Sequence, residues 1–264
     1  MFLLRRTRHA FSLVEMLVVI AVLAILAALL FPAISSAKKK ARLAQCMNQM
    51  RQISLGVRMY CDDASDRPPT PGSAAAKTNF LSLYSGYKEL MRDYVGRKNG
   101  DSTSDKLFAC PADRFYPSFV LPGSTNGYYV NVKASLHQHR IFDYASYAFN
   151  GGDNVTRFFG SNQVAVGSPG LTGLKLSAVR HPARTVLVTE VSGLAPWSWH
   201  DPVARDVPME ALTYNDARNV VGFVDGHIAY VKIYWNQELF LAKGPSFAMS
   251  YDPPRGYAYQ WSPD

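Results

Sequence analysis

The chain has 264 residues and a formal net charge of +8, and the positive charge is concentrated near its N-terminus. Arginines before residue 10 and the basic block at residues 38–42 together supply nearly all of the excess positive charge, so the rest of the chain is close to neutral. This distribution excludes a broad nucleic-acid surface, and the block suits anionic lipid headgroups better. About 225 residues follow the apolar N-terminal segment, enough for one large extramembrane domain or two small ones, and we favour one.

The apolar segment at residues 11–31 contains one charged residue, Glu15, and follows a short basic leader. Residues 16–37 carry no charge, and as a helix they span about 33 Å, enough for a hydrocarbon core of roughly 30 Å. The segment is longer than a signal-peptide core and lacks a small-x-small cleavage site, so we expect it to stay in the mature protein. Pro32 predicts a kink. The positive-inside rule leaves the orientation open, because basic residues flank both ends.

Glu15 lies four residues into the predicted membrane segment, where a carboxylate costs about 2.5–3.5 kcal/mol and is rarely left without a partner. The residues alone leave two interpretations open. The side chain snorkels to the headgroups from near the helix end, or it meets a partner inside the membrane.

The helical pattern continues past Pro32 and ends in a turn-rich stretch at residues 62–69. One face carries apolar and small residues at spacings of four and three: Leu43, Met47, Met50, Ser54, Val57 and Cys61. We therefore predict one long helix, half in the membrane and half packed on a domain. On that helix Cys46 and Cys61 would lie roughly 20 Å or more apart, so any disulfide uses Cys110, and buried free thiols are the alternative.

The rest of the chain is predicted to hold a short helix at 81–94 and strands at 128–132, 185–191 and 219–224. Asp225 and Gly226 separate the last of these strands from another at 227–235. Because an Asp-Gly pair supplies positive φ, we predict a two-residue hairpin with a type I′ turn.

Ala10 followed by Phe11-Ser-Leu-Val-Glu15 and an unbroken apolar helix resembles the N-terminal signal of type IV prepilins and type II secretion pseudopilins. The resemblance implies that a prepilin peptidase cuts between Ala10 and Phe11 and that the new Phe11 amine is methylated. It also implies that Glu15 neutralises the amine of a neighbouring subunit during filament assembly, which would offset the cost of its burial. The family usually has Gly before the cut, so Ala10 predicts slower cleavage. The resemblance places the body outside the cytoplasm.

Segments at 46–60, 108–113, 146–150 and 181–190 resemble the large pseudopilin-like proteins of planctomycetes and verrucomicrobia. That family ends in a His, nine residues and Asp-Gly, whereas this chain has Asn215 before Asp225-Gly226. Its members tend to have cysteines that match Cys46 and Cys110, which implies a disulfide between them. Some pseudopilins bind calcium in a C-terminal loop, which makes Asp225 a candidate ligand, although its place in the turn is a sufficient explanation.

Motifs for enzymatic chemistry are weak. The chain has no nucleophile elbow, zinc-protease motif or phosphate loop, so we predict that it is not an enzyme. Polar residues that would have to converge in space to form a site are His181, Glu190, His200, Asp201 and His227. His137 and His139 lack a third metal ligand, and the aspartates at 62–66 and 101–105 lack the spacing of a calcium loop.

Aromatic groups at residues 197–199 and 257–261 leave a rival function open, a membrane-anchored extracytoplasmic domain that binds or hydrolyses carbohydrate. Core positions are the favoured interpretation of these aromatics. A second rival is an anchored domain that never polymerises.

The sequence thus predicts an α+β, pilin-like fold in which a long helix packs on a C-terminal antiparallel sheet with an irregular insertion. The expected parts are a leader at 1–10, a transmembrane or filament-core helix at 11–34, its amphipathic continuation at 35–62 and a globular domain at 63–264. The predicted function is a single-pass structural subunit of a type II secretion or type IV pilus-like filament, with its body in the periplasm of a bacterial inner membrane. Expected partners are prepilin peptidase, other pilin-like subunits, an assembly platform with its ATPase, and lipid; no cofactor or nucleic acid is expected.

Overall fold

The computed structural model describes residues 12–69, 87–96, 106–114, 135–138, 144–151, 170–194, 198–201, 217–234 and 252–264. The chain divides into two compact units, Met1–Ala41 and Arg42–Asp264. The predicted strand at 128–132 lies outside the described residues, as does the first part of the predicted helix at 81–94. Its described part holds one short helix, Tyr87–Leu90, here called α2.

Helix α1 runs from Leu13 to Asp63 and continues through Pro32. Its part from Arg42 onward belongs to the second unit and has the predicted apolar face, on which Met50 and Val57 are fully buried, as is the neighbouring Ile53. The helix ends where Asp66 takes a positive φ and its N–H caps the carbonyl of Cys61. The predicted long helix is therefore present, and its second half contributes to the core.

In the part of the chain that the structure describes, four antiparallel strands form one sheet in chain order: β1 (Tyr147–Phe149), β2 (Val186–Glu190), β3 (Ala217–Phe223) and β4 (Ile228–Ile233). Strand β2 is buried along its whole length, as its run of apolar residues requires. The C-terminal tail extends this layer, because Gln260 exchanges backbone hydrogen bonds with Arg184 and Val186. A long helix packed on an antiparallel sheet confirms the predicted α+β, pilin-like fold.

The hairpin between β3 and β4 is present, but the predicted two-residue type I′ turn is wrong. Phe223 N donates to His227 O at 3.0 Å, so three residues, Val224, Asp225 and Gly226, form the loop. Gly226 has a φ of +96°, whereas Asp225 is not among the residues with positive φ. This is the three-residue loop that ends in a left-handed residue, which tolerates Asp without strain before the glycine.

Gly222 sets the distance between helix α1 and strand β3. A Cβ atom at this position would lie 2.4 Å from Ser54 Oγ, 3.1 Å from Ile228 Cδ1 and 3.4 Å from Met50 Cγ. The strand can therefore approach the helix this closely because the side chain is absent. Ser54 Oγ is buried and has no hydrogen-bond partner within the described residues.

We expect Gly222→Ala to lower the free energy of unfolding by about 1–3 kcal/mol, because the added methyl overpacks the contact between α1 and β3. Adding Ser54→Ala removes the nearest clashing atom and should recover about half of that loss. Urea unfolding of the full chain in detergent micelles measures both effects, with Ser54→Ala alone as the control. Equal losses in Gly222→Ala and in the double variant would contradict this account of the contact.

A polar tie joins α1 to the rest of the core. Gln49 donates from Nε2 to the carbonyls of Lys106 and Ala109, at 2.8 and 3.1 Å, and accepts from the Tyr147 hydroxyl at 2.8 Å. Burial raises the pKa of Tyr147 well above its ordinary value, so the phenol stays protonated and donates. Beside this tie, Cys46 on α1 and Cys110 are joined by a disulfide with a Cα–Cα distance of 5.4 Å.

Candidate functional site

The start of helix α1 holds the described part of the predicted processing and assembly site. Ala10 and Phe11 lie outside the described residues, and the description begins at Ser12. Ser12 N donates to Glu15 Oε2 at 2.8 Å, and Glu15 N donates to Ser12 Oγ at 3.2 Å. This reciprocal pair is a capping box, which satisfies two backbone donors of the first turn.

The capping box gives Glu15 a partner within its own chain, which the sequence analysis did not foresee. Its carboxylate also lies in the first turn, where the positive end of the helix dipole favours negative charge. The sequence contains the pattern for this capping box, because Ser-x-x-Glu before an apolar run is a recognised helix start. Part of the cost of this carboxylate is therefore offset before any neighbouring subunit arrives.

Helix α1 exposes apolar side chains on all sides along its first third. Large residues from Leu13 to Phe31 are exposed, including Leu29 at 70% and Phe31 at 72%. Within the described residues this is the one helix long and apolar enough to cross a membrane, by length and composition. A helix that is apolar all round needs lipid or other helices around it.

The basic block follows this apolar surface on the same helix. Lys38, Lys39 and Lys40 are exposed, and Arg42 is half-buried. Lysine side chains at this position lie where anionic headgroups would meet the end of a membrane-spanning segment.

A second cluster surrounds the disulfide. The carboxylate of Glu190, at the end of β2, is fully buried and accepts from Val220 N at 2.8 Å through Oε2. Its Oε1 lies 2.9 Å from His200 Nε2 and 3.5 Å from Cys110 Sγ. His200 Nε2 is 3.7 Å from the same sulfur, and only 4% of the His200 side chain is exposed. The four potential ligand atoms of Cys46, Cys110, Glu190 and His200 all lie within 4.8 Å of one another.

The other polar residues singled out in the sequence lie apart from this cluster. His227 Nδ1 contacts Asp225 Oδ1 at 2.6 Å, in the β3–β4 loop, and its ring stacks on Phe223 at 4.2 Å. His181 accepts backbone hydrogen bonds before β2, and Asp201 N donates to Ser198 Oγ. Of the five polar residues considered for a site, Glu190 and His200 are in direct contact.

Three of the remaining metal candidates, His137, Asp63 and Asp66, have structural partners. His137 belongs to the 3₁₀ turn Leu136–Gln138, and its Nδ1 lies 3.2 Å from Asp113 Oδ2. Asp63 accepts from the Tyr94 hydroxyl at 2.9 Å. Hydrogen bonds from Ser177 to Asp66 lower the pKa of that carboxyl. His139, Asp101, Asp105 and Asn215 lie outside the described residues.

Aromatic residues proposed for sugar stacking are mostly buried. Trp199, Tyr259 and Trp261 expose 5%, 1% and 2% of their surfaces, and Tyr257 is half-buried. Trp197 lies outside the described residues. Buried rings cannot stack on a polysaccharide, so these three positions belong to the core and do not support the carbohydrate-binding alternative.

A family model described as the prokaryotic N-terminal methylation motif matches residues 5–31. The match includes the Ala10–Phe11 bond, Glu15 and the exposed apolar surface of α1. No curated protein and no solved structure matches the chain. The motif and the fold together support a pilin-like protein with an N-terminal membrane anchor.

Proposed function

We propose that this protein is a structural subunit of a type II secretion or type IV pilus-like filament. The observation that carries the proposal is the N-terminal methylation motif, whose matched residues include the part of α1 with apolar surface exposed on all sides. In the membrane, lipid covers that surface. In a filament, the corresponding helices of neighbouring subunits replace the lipid through close packing.

Processing begins when a prepilin peptidase hydrolyses the Ala10–Phe11 bond and the Phe11 amine is methylated. The mature subunit stays in the inner membrane with its body in the periplasm, until an assembly platform and its ATPase move it into the filament. The body contributes structure rather than catalysis. Its charge is close to neutral apart from the block at 38–42, which suits contact with lipid headgroups and with other subunits more than with nucleic acid.

The test of processing is the mass of the mature N-terminus. We expect coexpression with a prepilin peptidase to yield a chain that begins with N-methylated Phe11. Ala10→Gly should raise the processed fraction, because glycine fits best before the cut, and Ala10→Leu should abolish processing, because the larger side chain does not fit. Intact-mass spectrometry of the membrane fraction distinguishes the products. A native chain that still begins with Met1 would overturn the proposal.

A further inference from the structure

We propose that the Cys46–Cys110 pair is a redox-dependent metal site, which binds Zn²⁺ when its disulfide is reduced. The four ligands would be the thiolates of Cys46 and Cys110, the Glu190 carboxylate and the His200 imidazole. They come from α1, the segment after Lys106–Phe108, the end of β2 and the segment at 198–201. The inference is independent of the proposed filament function.

The donor set is one that zinc prefers. Structural zinc sites are four-coordinate and tetrahedral, with ligands drawn from Cys, His, Asp and Glu. Zinc–sulfur bonds of about 2.3 Å and zinc–nitrogen or zinc–oxygen bonds of about 2.0 Å place sulfur roughly 3.6 Å from nitrogen or oxygen in a tetrahedron. Cys110 Sγ lies 3.7 Å from His200 Nε2 and 3.5 Å from Glu190 Oε1. Two edges of the required tetrahedron are therefore already in place.

The surroundings of the sulfurs also suit a bound cation. A disulfide sulfur carries no proton, so the approach of Glu190 Oε1 to Cys110 Sγ is a contact without a hydrogen bond. Glu190 is fully buried, and a buried carboxylate needs a cation or strong donors to balance it. With the disulfide formed, Oε1 has His200 Nε2 at 2.9 Å, and in the reduced site Zn²⁺ would take the place of that contact. The other oxygen of Glu190 is held by the N–H of Val220, the kind of outer contact that fixes the orientation of a ligand.

The chemistry balances in two steps. A dithiol reductant transfers two electrons to the Cys46–Cys110 bond, which breaks to give two thiols with two protons taken up, while the reductant becomes a disulfide. Zn²⁺ then displaces both thiol protons to solvent, and the proton that His200 Nε2 shares with Glu190 Oε1 is transferred through solvent to Nδ1 of the same ring. The freed Nε2, Oε1 of Glu190 and the two sulfurs bind the metal. The net charge of the loaded site is −1, which is less negative than that of a four-cysteine zinc site. In both states α1 remains tied to the core.

The test uses the full chain in detergent micelles, reduced with a phosphine under anaerobic conditions and then desalted. Titration with Co²⁺ should give one equivalent of tetrahedral, thiolate-bound cobalt by its visible and near-ultraviolet absorption, and Zn²⁺ should displace it. The oxidised chain should bind none. Changes next to zinc ligands alone cost about 10–100-fold in affinity, so Glu190→Gln and His200→Ala should weaken Co²⁺ binding at least roughly tenfold.

Matched controls separate this site from general thiol or imidazole binding. Cys61→Ala and His137→Ala change the same residue types outside the cluster and should leave Co²⁺ affinity within about twofold. A measurement that needs no variant is alkylation of the reduced wild-type chain, read by peptide mass spectrometry. Zn²⁺ should protect Cys46 and Cys110. Failure of the reduced chain, folded or unfolded, to bind Co²⁺ or to show this protection would overturn the proposal, as would unchanged binding in both ligand variants.

Discussion

Glu15→Gln should remove the protein from filaments while leaving it in the membrane. The amide oxygen of Gln can still accept from Ser12 N, so the capping box survives, but the negative charge that would meet a neighbour's Phe11 amine is gone. A carboxylate in the membrane costs about 2.5–3.5 kcal/mol, and pairing in the proposed filament would relieve that cost. The Glu15→Gln variant would lose this gain in free energy and leave the neighbour's Phe11 amine without a counter-charge. We therefore predict roughly a hundredfold less incorporation into filaments.

Ser12→Ala is the matched control for this prediction, because it breaks the other half of the capping box and keeps the charge. Loss of a helix cap costs about 1 kcal/mol, so Ser12→Ala should assemble close to normally. The ratio of sheared filament to membrane-bound subunit, from quantitative immunoblots, measures both variants, and intact mass checks that each is cleaved and methylated. The reverse pattern, with Glu15→Gln assembling and Ser12→Ala failing, would show that Glu15 acts as a cap.

Cys110→Ala should produce the largest loss of stability in the body. The disulfide closes a loop across a sequence separation of 64, for which the chain-entropy relation gives about 4 kcal/mol. Urea unfolding of the full chain in micelles, with a chelator present and no reductant, measures the loss. The double variant Cys46→Ala/Cys110→Ala should be close to the single one, because both remove the same bond.

Cys61→Ala is the control for losing a buried sulfur atom without losing a covalent bond. Cys61 is 2% exposed and unpaired, and burial raises the pKa of its thiol to about 12, so it stays protonated. Its replacement should cost about 1 kcal/mol. A loss in Cys110→Ala no larger than the loss in Cys61→Ala would contradict the stabilising role of the disulfide.

Local patterns in the sequence were enough to predict the long helix and strands β2, β3 and β4, whereas the three-residue strand β1 was not predicted. The charge-free run after Glu15 is long enough for a membrane-spanning helix, and the spacing of apolar residues from Leu43 to Cys61 is that of an amphipathic helix. Helix α1 contains both stretches. The strands around Asp225 follow from β-branched runs bounded by turn residues. The turn type was wrong because an Asp-Gly pair fits two loops, and the choice depends on how Phe223 and His227 pair across the strands.

Tertiary contacts account for what the sequence did not predict. In the sequence, Gly222 resembles a residue that would weaken a strand. Its role in the close approach of β3 to α1 is evident only from the structure, in which Ser54 and Met50 lie against it. Glu190 and His200 meet beside Cys110 because three separate segments converge, and no spacing along the chain encodes that convergence. The capping box at Ser12 is different, because its Ser-x-x-Glu pattern is local and is visible in the sequence alone.

The position of the disulfide on α1 affects how the subunit would bear mechanical load. Cys46 is the first fully buried residue of the helix, counted from its N-terminal end, and it is bonded covalently to Cys110. Tension applied to the N-terminal end of α1 therefore passes the partly buried Leu43 and then reaches a covalent bond, before the fully buried contacts of Met50 and Ile53. A subunit anchored in this way resists being peeled from its own helix when a filament is stretched.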